Sequence, residues 1–283
     1  MIRIVEVGPR DGLQNEQETV PTDLKVAYID ALSTAGLHEI EAGAFVSPRW
    51  IPQLADSDEV FARIRRTPGV VYSALVPNER GFERALAARV DKIAVFTAAS
   101  ETFNRKNINA TIAESIARFK PVVLGARAAK LPVRGYISTA FWCPYEGKVD
   151  PAKTVKVSEE LLGLGVDELS IGDTIGKATP DEARALLDLL LAIVPADRVA
   201  MHFHDTYGRA VENCLASYDR GIRTFDSSAG GIGGCPYAPG ASGNVSTQAL
   251  VDAFPGSGVD RAALDAASAL LLSRLPSRRP LGA

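Results

Sequence analysis

The segment "HFHDTYG" sets His202 and His204 two residues apart in a run that reads as a β-strand. A strand has a side-chain period of two, so both imidazoles face the same space. The chain contains three histidines, and this one segment holds two of them. Paired imidazoles suit a divalent metal ion; a hydrogen-bonded pair of core histidines is the competing reading. His38, between a helix end and a strand, reads as structural or exposed. A metal needs further ligands, and Asp11 after the first strand and Asn244 at the end of a glycine-rich segment supply candidate oxygens. Two nitrogens and two oxygens without thiolate, with positions left for substrate oxygens, suit Mg²⁺ or Mn²⁺ better than structural Zn²⁺, although ligand type alone leaves zinc open.

Other residues could act beside such an ion. Arg10 adjoins Asp11, and a fixed guanidinium there could stabilise an oxyanion; a salt bridge at the rim is the alternative. Glu6, Glu41 and Asp173 lie inside or at the ends of strand-like runs, where carboxylates are costly to bury unless paired or used. Their other role is support for arginine or histidine. The segment "GGIGGCPYAPGASGN", residues 230–244, carries Cys235 between glycines and prolines and ends on Asn244. Its glycines permit hinge-like changes, and Pro236 and Pro239 stiffen the span after the cysteine, so it reads as a lid. It lacks the spacing of a phosphate-binding loop. The tripeptide Cys235-Pro236-Tyr237 repeats at Cys143-Pro144-Tyr145, so motif text alone does not mark a nucleophile, and inert burial is the ordinary state of an isolated cysteine.

The elements that must position these residues follow from hydrophobic period. Eight apolar, β-branched runs stand out, near 2–8, 38–45, 70–76, 92–98, 133–139, 167–173, 199–205 and 224–231. Helix-like stretches lie between them at 23–35, 52–66, 79–89, 108–129, 151–164, 180–194 and 209–220, with further helices from about 246 and over 260–274. Thr22 before Asp23, Asn78 before Glu79, Asp150-Pro151 and Thr179-Pro180 mark helix starts. This alternation predicts an α/β protein, a TIM (β/α)8 barrel with extra C-terminal helices forming a single domain over 1–283. A doubly wound sheet is the rival, but "VGPRDG" lacks its glycine fingerprint. In a barrel the site forms at the C-terminal ends of the strands. Arg10, Asp11, Glu41, Asp173, His202 and His204 all fall there, and the first, seventh and eighth strands become neighbours on closure.

Composition narrows the partners. The formal net charge of −3 gives no broad cationic field for nucleic acid or an anionic bilayer, and no apolar run is long enough to span a membrane. Three cysteines, an odd and small number, argue against a disulfide framework. The strand-like start "MIRIVEVGPRDG" shows no targeting pattern, so cytoplasmic residence is expected.

The ordered motifs "VEVGPRDGLQNE", "FVSPRWIPQLAD", "CPYEGKV", "LSIGDTIGKATP", "HFHDTYGRA" and "GGCPYAPGASGN" span residues 5 to about 250 and closely resemble the 3-hydroxy-3-methylglutaryl-CoA lyase family of metal-dependent barrels. The resemblance implies Asp11, His202, His204 and Asn244 as ligands of Mg²⁺ or Mn²⁺, Arg10 as the residue stabilising an enolate, and Cys235 as the catalytic thiol of a mobile loop. It further implies Glu41 and Asp173 as active-site carboxylates, with Tyr136 and Glu6 in supporting positions near the substrate. The implied partner is an acyl-CoA thioester and the implied assembly a homodimer. The implied reaction is a retro-Claisen cleavage to acetoacetate and acetyl-CoA in leucine catabolism or ketone-body metabolism, its first base being either Asp173 or His202. The chain departs from the family at Ala42–Ala44, where hydroxyl residues are usual, at Phe141 and Trp142, where small residues are usual, and at Gln17 and Gln248, where lysine and glutamate are common. These positions surround the chemistry, so a larger 3-hydroxyacyl-CoA is the alternative substrate. A condensing synthase and a silent ligand-binding barrel are further alternatives.

Overall fold

The structure, a computed structural model, describes residues 1–14, 16, 18–233 and 243–275. Ten strands are described: β1 (Arg3–Glu6), β2 (Glu39–Ala44), β3 (Val71–Leu75), β4 (Lys92–Ala98), β5 (Val133–Ser138), β6 (Trp142–Cys143), β7 (Gly147–Lys148), β8 (Glu168–Asp173), β9 (Val199–Phe203) and β10 (Thr224–Ser227). All but β6 and β7 close into a parallel barrel of order β1-β10-β9-β8-β5-β4-β3-β2. The eight expected strands are therefore these eight. β6 and β7 pair as a short antiparallel hairpin that the sequence pattern did not reveal, each strand being only two residues long.

Around the barrel run α1 (Thr22–Ser33), α2 (Ser57–Arg63), α3 (Glu79–Ala87), α4 (Glu101–Ile108), α5 (Ile112–Ala128), α6 (Pro151–Leu164), α7 (Pro180–Leu190), α8 (Ala210–Asp219), α9 (Thr247–Ala253) and α10 (Arg261–Leu272). Caps set most starts: Asn78, Asp150 and Thr179 accept backbone N–H bonds as expected, each such cap contributing about 1 kcal/mol. Thr22 does not cap α1. Pro21 holds that position, and the Thr22 hydroxyl donates to Asp56 at 2.7 Å. The expected helix at 108–129 is two helices, because Asn109 takes a left-handed conformation (φ 50°) that ends α4, and a Thr111–Glu114 capping box starts α5. The stretch at 52–66 is also divided, into a 3₁₀ turn over Pro52–Leu54 followed by α2.

The apolar core lies largely between barrel and helices, with Tyr28, Leu32, Phe119 and Leu187 fully buried. Toward the strand starts, the barrel interior is ionic. Lys92 of β4 contacts Glu39 of β2 at 2.9 Å, and Arg134 of β5 contacts Asp226 of β10 at 2.8 Å. Neither pair of strands is adjacent, so both contacts cross the barrel lumen. Glu168 joins them by accepting from Lys92 and pairing with Arg134. Removing one member of such a buried pair costs about 3–5 kcal/mol, because its partner is left charged and dry.

Candidate active site

β1 stops at Glu6, earlier than its apolar run suggests, because the chain winds into a π-helical turn over Gly8–Gly12. The N–H groups of Arg10, Asp11 and Gly12 all donate to the carbonyl of Val7. Such turns are rare and concentrate at functional sites, and this one aims two consecutive charged side chains over the barrel mouth. Gly8 makes it possible. A Cβ there would sit 2.5 Å from Glu6 Oε1 and 2.7 Å from the Tyr28 hydroxyl.

Arg10 is 5% exposed and fully engaged. Its Nε and a terminal nitrogen reach Glu41 Oε2 at 2.7 and 2.6 Å, and its other terminal nitrogen reaches Asp11 Oδ1 at 2.6 Å. The guanidinium also lies 5.3 Å from the centre of the Tyr136 ring. Burial opposes charge on Arg10, but Glu41 and Asp11 outweigh it and hold the guanidinium protonated. Burial raises the Glu41 carboxyl while Arg10 draws it back. Tyr136, on β5, donates its hydroxyl to the same Glu41 oxygen at 3.2 Å.

His202 and His204 bracket the end of β9, both 8% exposed, with ring centres 5.2 Å apart. Ligand atoms of Asp11, His202 and His204 all lie within 4.8 Å of one another. Asn244 pairs across the chain with His204, and its Nδ2 donates to Asp11 Oδ2 at 2.9 Å, which leaves Oδ1 as a further potential ligand. Burial, then repulsion from His202, pushes His204 down to about 4, so its ring is neutral at pH 7 and able to donate a lone pair. Asp11 is held well below the usual carboxylate range: burial opposes its charge, and Arg10, with both histidines, prevails. His204 Nδ1 is buried without a hydrogen-bond partner. A neutral imidazole with an orphaned nitrogen, an ionised carboxylate and an amide oxygen make a donor set that fits a divalent cation.

Arg10, Asp11, Tyr136, His202 and His204 line one cavity of about 680 Å³, whose lining also includes the apolar Val46, Leu75 and Phe96. Glu6 and Asp173 do not line it. Both oxygens of Glu6 are taken by Gly8 N, Ala229 N and the Thr247 hydroxyl, tying β1 to the chain after β10. The Asp173 carboxylate accepts from Lys177 N and Ala178 N, shaping the turn before α7. Burial pushes each of these two carboxyls up to about 7. Two residues that the motifs did not single out, Arg134 and Asp226, connect to the site: Arg134 donates to the Tyr136 hydroxyl at 3.2 Å, and Asp226 Oδ2 lies 3.2 Å from His202 Nδ1. The signal was available, since both are charged residues inside strand-like runs.

A family profile described as HMGL-like matches residues 1–275. The chain belongs to the HMGL-like family. It is 52% identical over 258 residues to mitochondrial hydroxymethylglutaryl-CoA lyase of Rattus norvegicus, covering 91% of this chain and 79% of that one. It is 51% identical over 267 residues to 3-hydroxy-3-isohexenylglutaryl-CoA/hydroxymethylglutaryl-CoA lyase of Pseudomonas aeruginosa, covering 93% and 89%. Among solved structures, the HMG-CoA lyase of Brucella melitensis superposes with a TM-score of 0.95 at 51% identity, over 97% of this chain and 98% of that one.

Within this HMGL-like barrel, the described positions that depart from the family pattern fall away from the cavity lining. Phe141 is buried against Phe203, and Trp142, in β6, donates its indole N–H to Glu182 at 3.2 Å. Gln248 accepts from Gly230 N and donates to Ser268, a bracing role between the last strand and α10. Ala42 and Ala44 are buried on β2. Cys235 and Gln17, and with Cys235 the expected lid, lie outside the described residues.

Proposed function

We propose that this HMGL-like protein cleaves (S)-3-hydroxy-3-methylglutaryl-CoA to acetoacetate and acetyl-CoA, a carbon–carbon lyase reaction dependent on Mg²⁺ or Mn²⁺. The observation that carries the reading is Arg10, fixed by Glu41 and touching Asp11 at 2.6 Å, in one cavity with the Asp11–His202–His204 cluster. Asp11, His202, His204 and Asn244 would hold the ion, which when bound supplies Lewis acidity toward substrate oxygens. Arg10 meets the negative charge that develops on the thioester oxygen as the C2–C3 bond breaks. Glu41 and Tyr136 keep the guanidinium in place for that task. A base takes the proton of the tertiary hydroxyl, the bonding pair passes into the thioester enolate, and an acid protonates C2. Cys235 is assigned as that acid. His202 is the candidate base on the cavity; Asp173, the other expected base, lies off the lining with its carboxylate engaged by Lys177 N and Ala178 N. A cytoplasmic homodimer serving leucine or ketone-body metabolism completes the reading.

The test is Mn²⁺-dependent release of acetoacetate from (S)-3-hydroxy-3-methylglutaryl-CoA by the purified protein. A second reading, cleavage of a 3-hydroxyglutaryl-CoA with a longer branch, is favoured by the apolar wall of Val46, Ile51, Leu75 and Phe96 and by the double name of the Pseudomonas relative. Turnover of the longer-branched thioester alone would replace the first reading with the second.

A further inference from the structure

Seven side chains from five strands and their ends close a ring beneath the cavity. Asp11 touches Arg10 at 2.6 Å, and Arg10 touches Glu41 at 2.6 Å. Glu41 receives the Tyr136 hydroxyl at 3.2 Å, and Tyr136 receives Arg134 at 3.2 Å. Arg134 faces Asp226 Oδ1 at 2.8 Å, Asp226 Oδ2 meets His202 Nδ1 at 3.2 Å, and His202 Nε2 faces Asp11 Oδ2 at 3.9 Å. Arg134 is 1% exposed and Asp226 is 1% exposed. Neither lines the cavity, so any influence on the chemistry passes through a neighbour.

The donors around Asp226 decide what it can do. Burial opposes charge on Asp226, but the Arg134 guanidinium, paired with Oδ1 at 2.8 Å without hydrogen-bond geometry, keeps the carboxylate ionised, so neither oxygen has a proton to donate. The Ser170 hydroxyl donates to Oδ2 at 2.9 Å. With acceptor roles imposed on both oxygens, the remaining contact requires that His202 carry its proton on Nδ1. Strand pairing builds this contact in, because Asp226 and His202 are register partners on β10 and β9. His204, by contrast, has a buried Nδ1 with no partner, and its alignment comes from its backbone bridge to Asn244.

We infer that Asp226, held by Arg134 and Ser170, is a positioning residue that fixes His202 in the Nδ1–H form, turning the Nε2 lone pair toward Asp11 and the divalent ion. The inference rests on the metal reading above. An imidazole oriented from behind by a carboxylate presents its free nitrogen at a fixed angle and with raised basicity, and loss of such a partner typically weakens metal binding about 10- to 100-fold. Arg134 adds a second link, since the same guanidinium supports Tyr136 and, through Glu41, Arg10.

Asp226→Asn is the informative substitution. The amide has one acceptor where the carboxylate has two, so its NH₂ group must face either Arg134 or His202. Facing His202, it donates to Nδ1 and drives the ring proton to Nε2, where the ion would bind; the amide replacement in a serine-protease triad acts in the same way. Calorimetric titration of the metal-free full-length chain with Mn²⁺ should show affinity about 10- to 100-fold weaker in Asp226→Asn than in the unaltered protein. A folded Asp226→Asn that binds Mn²⁺ within twofold of the unaltered chain overturns the assignment. The second measurement needs no variant: ¹⁵N imidazole spectra of the metal-free chain at alkaline pH, with His202 identified among three histidines, should show the proton on Nδ1. A His202 Nε2–H form overturns the assignment even if Asp226→Asn does not fold. Failure of Mn²⁺ to bind the unaltered chain refutes the metal reading instead, and the tautomer spectrum then judges the Asp226 contact by itself.

Discussion

Arg10 places two of its nitrogens on a single oxygen of Glu41, Oε2, at 2.7 and 2.6 Å, while the other oxygen, Oε1, is buried with no hydrogen-bond partner. The asymmetry matters. Oε2 is saturated by Arg10 and the Tyr136 hydroxyl, which locks the guanidinium. Glu41 therefore holds Arg10 and Tyr136 through one oxygen.

Arg10→Lys keeps the charge but loses the fork that spans Glu41 and Asp11. We expect kcat for cleavage of (S)-3-hydroxy-3-methylglutaryl-CoA to fall about 10²- to 10³-fold, the usual consequence of losing one oxyanion donor, with a smaller change in KM. Steady-state kinetics at saturating Mn²⁺ checks this. A fall in kcat/KM carried by KM alone would remove Arg10 from the bond-breaking step.

His204→Ala deletes an imidazole that burial keeps neutral down to about pH 4. Mn²⁺ affinity measured by calorimetry should drop at least tenfold, since the cluster then retains one imidazole and one carboxylate. Affinity equal to that of the unaltered chain would exclude His204 as a ligand.

Glu6 offers a pH test separate from the metal. Its folded carboxyl is pushed up to about 7 by burial, against the pull of Thr247, Ala229 and Gly8, while its ordinary value is 4.5. Below 4.5 both folded and unfolded forms hold the proton, and the group does not favour unfolding. Between 4.5 and about 7 the unfolded chain has released the proton and the folded chain keeps it, so stability falls as pH rises, by about 1.4 kcal/mol per unit. Asp173, raised to about 7 by burial, contributes in the same direction. Glu6→Gln mimics the protonated acid and can donate to Thr247. Thermal unfolding of the metal-free proteins should show the variant gaining stability relative to the unaltered chain between pH 5 and pH 8. A difference that is constant over that range would mean Glu6 is ionised in the fold.

Much of this arrangement was legible in the sequence, because the period of two that placed His202 and His204 together depends only on local backbone geometry. The closure of the barrel then brought Asp11 and Asn244 to them. The π-helical turn at Gly8–Gly12 was not legible: it rests on Gly8 fitting against Glu6 and Tyr28, a tertiary contact invisible to hydrophobic period. The same holds for the break at Asn109, where one left-handed residue divides an apparently continuous helix. Arg134 and Asp226 carried the same signal as Glu6 and Glu41, a charge inside a strand-like run, but their pairing across the lumen is a tertiary contact that the run does not show.

Cys235 and Cys143 share a tripeptide and separate by context. Cys143 is 2% exposed, with its sulfur 3.0 Å from the Ser100 hydroxyl and receiving the Tyr145 N–H at 3.4 Å. Serine can take over both contacts, so Cys143→Ser should leave turnover within about twofold, as expected for a near-isosteric change away from reacting atoms. Cys235 is assigned as the acid that protonates the enolate carbon, and a serine hydroxyl is far too weak an acid to replace a thiol. Cys235→Ser should therefore lower kcat about 10²-fold or more while Mn²⁺ affinity stays unchanged, because no thiolate belongs to the proposed ligand set. Parallel kinetics and calorimetry on the two variants decide the matter. Equal loss of turnover in both would place the shared tripeptide in the fold and not in the chemistry. A loss of Mn²⁺ binding in Cys235→Ser would move the cysteine from proton donor to the metal.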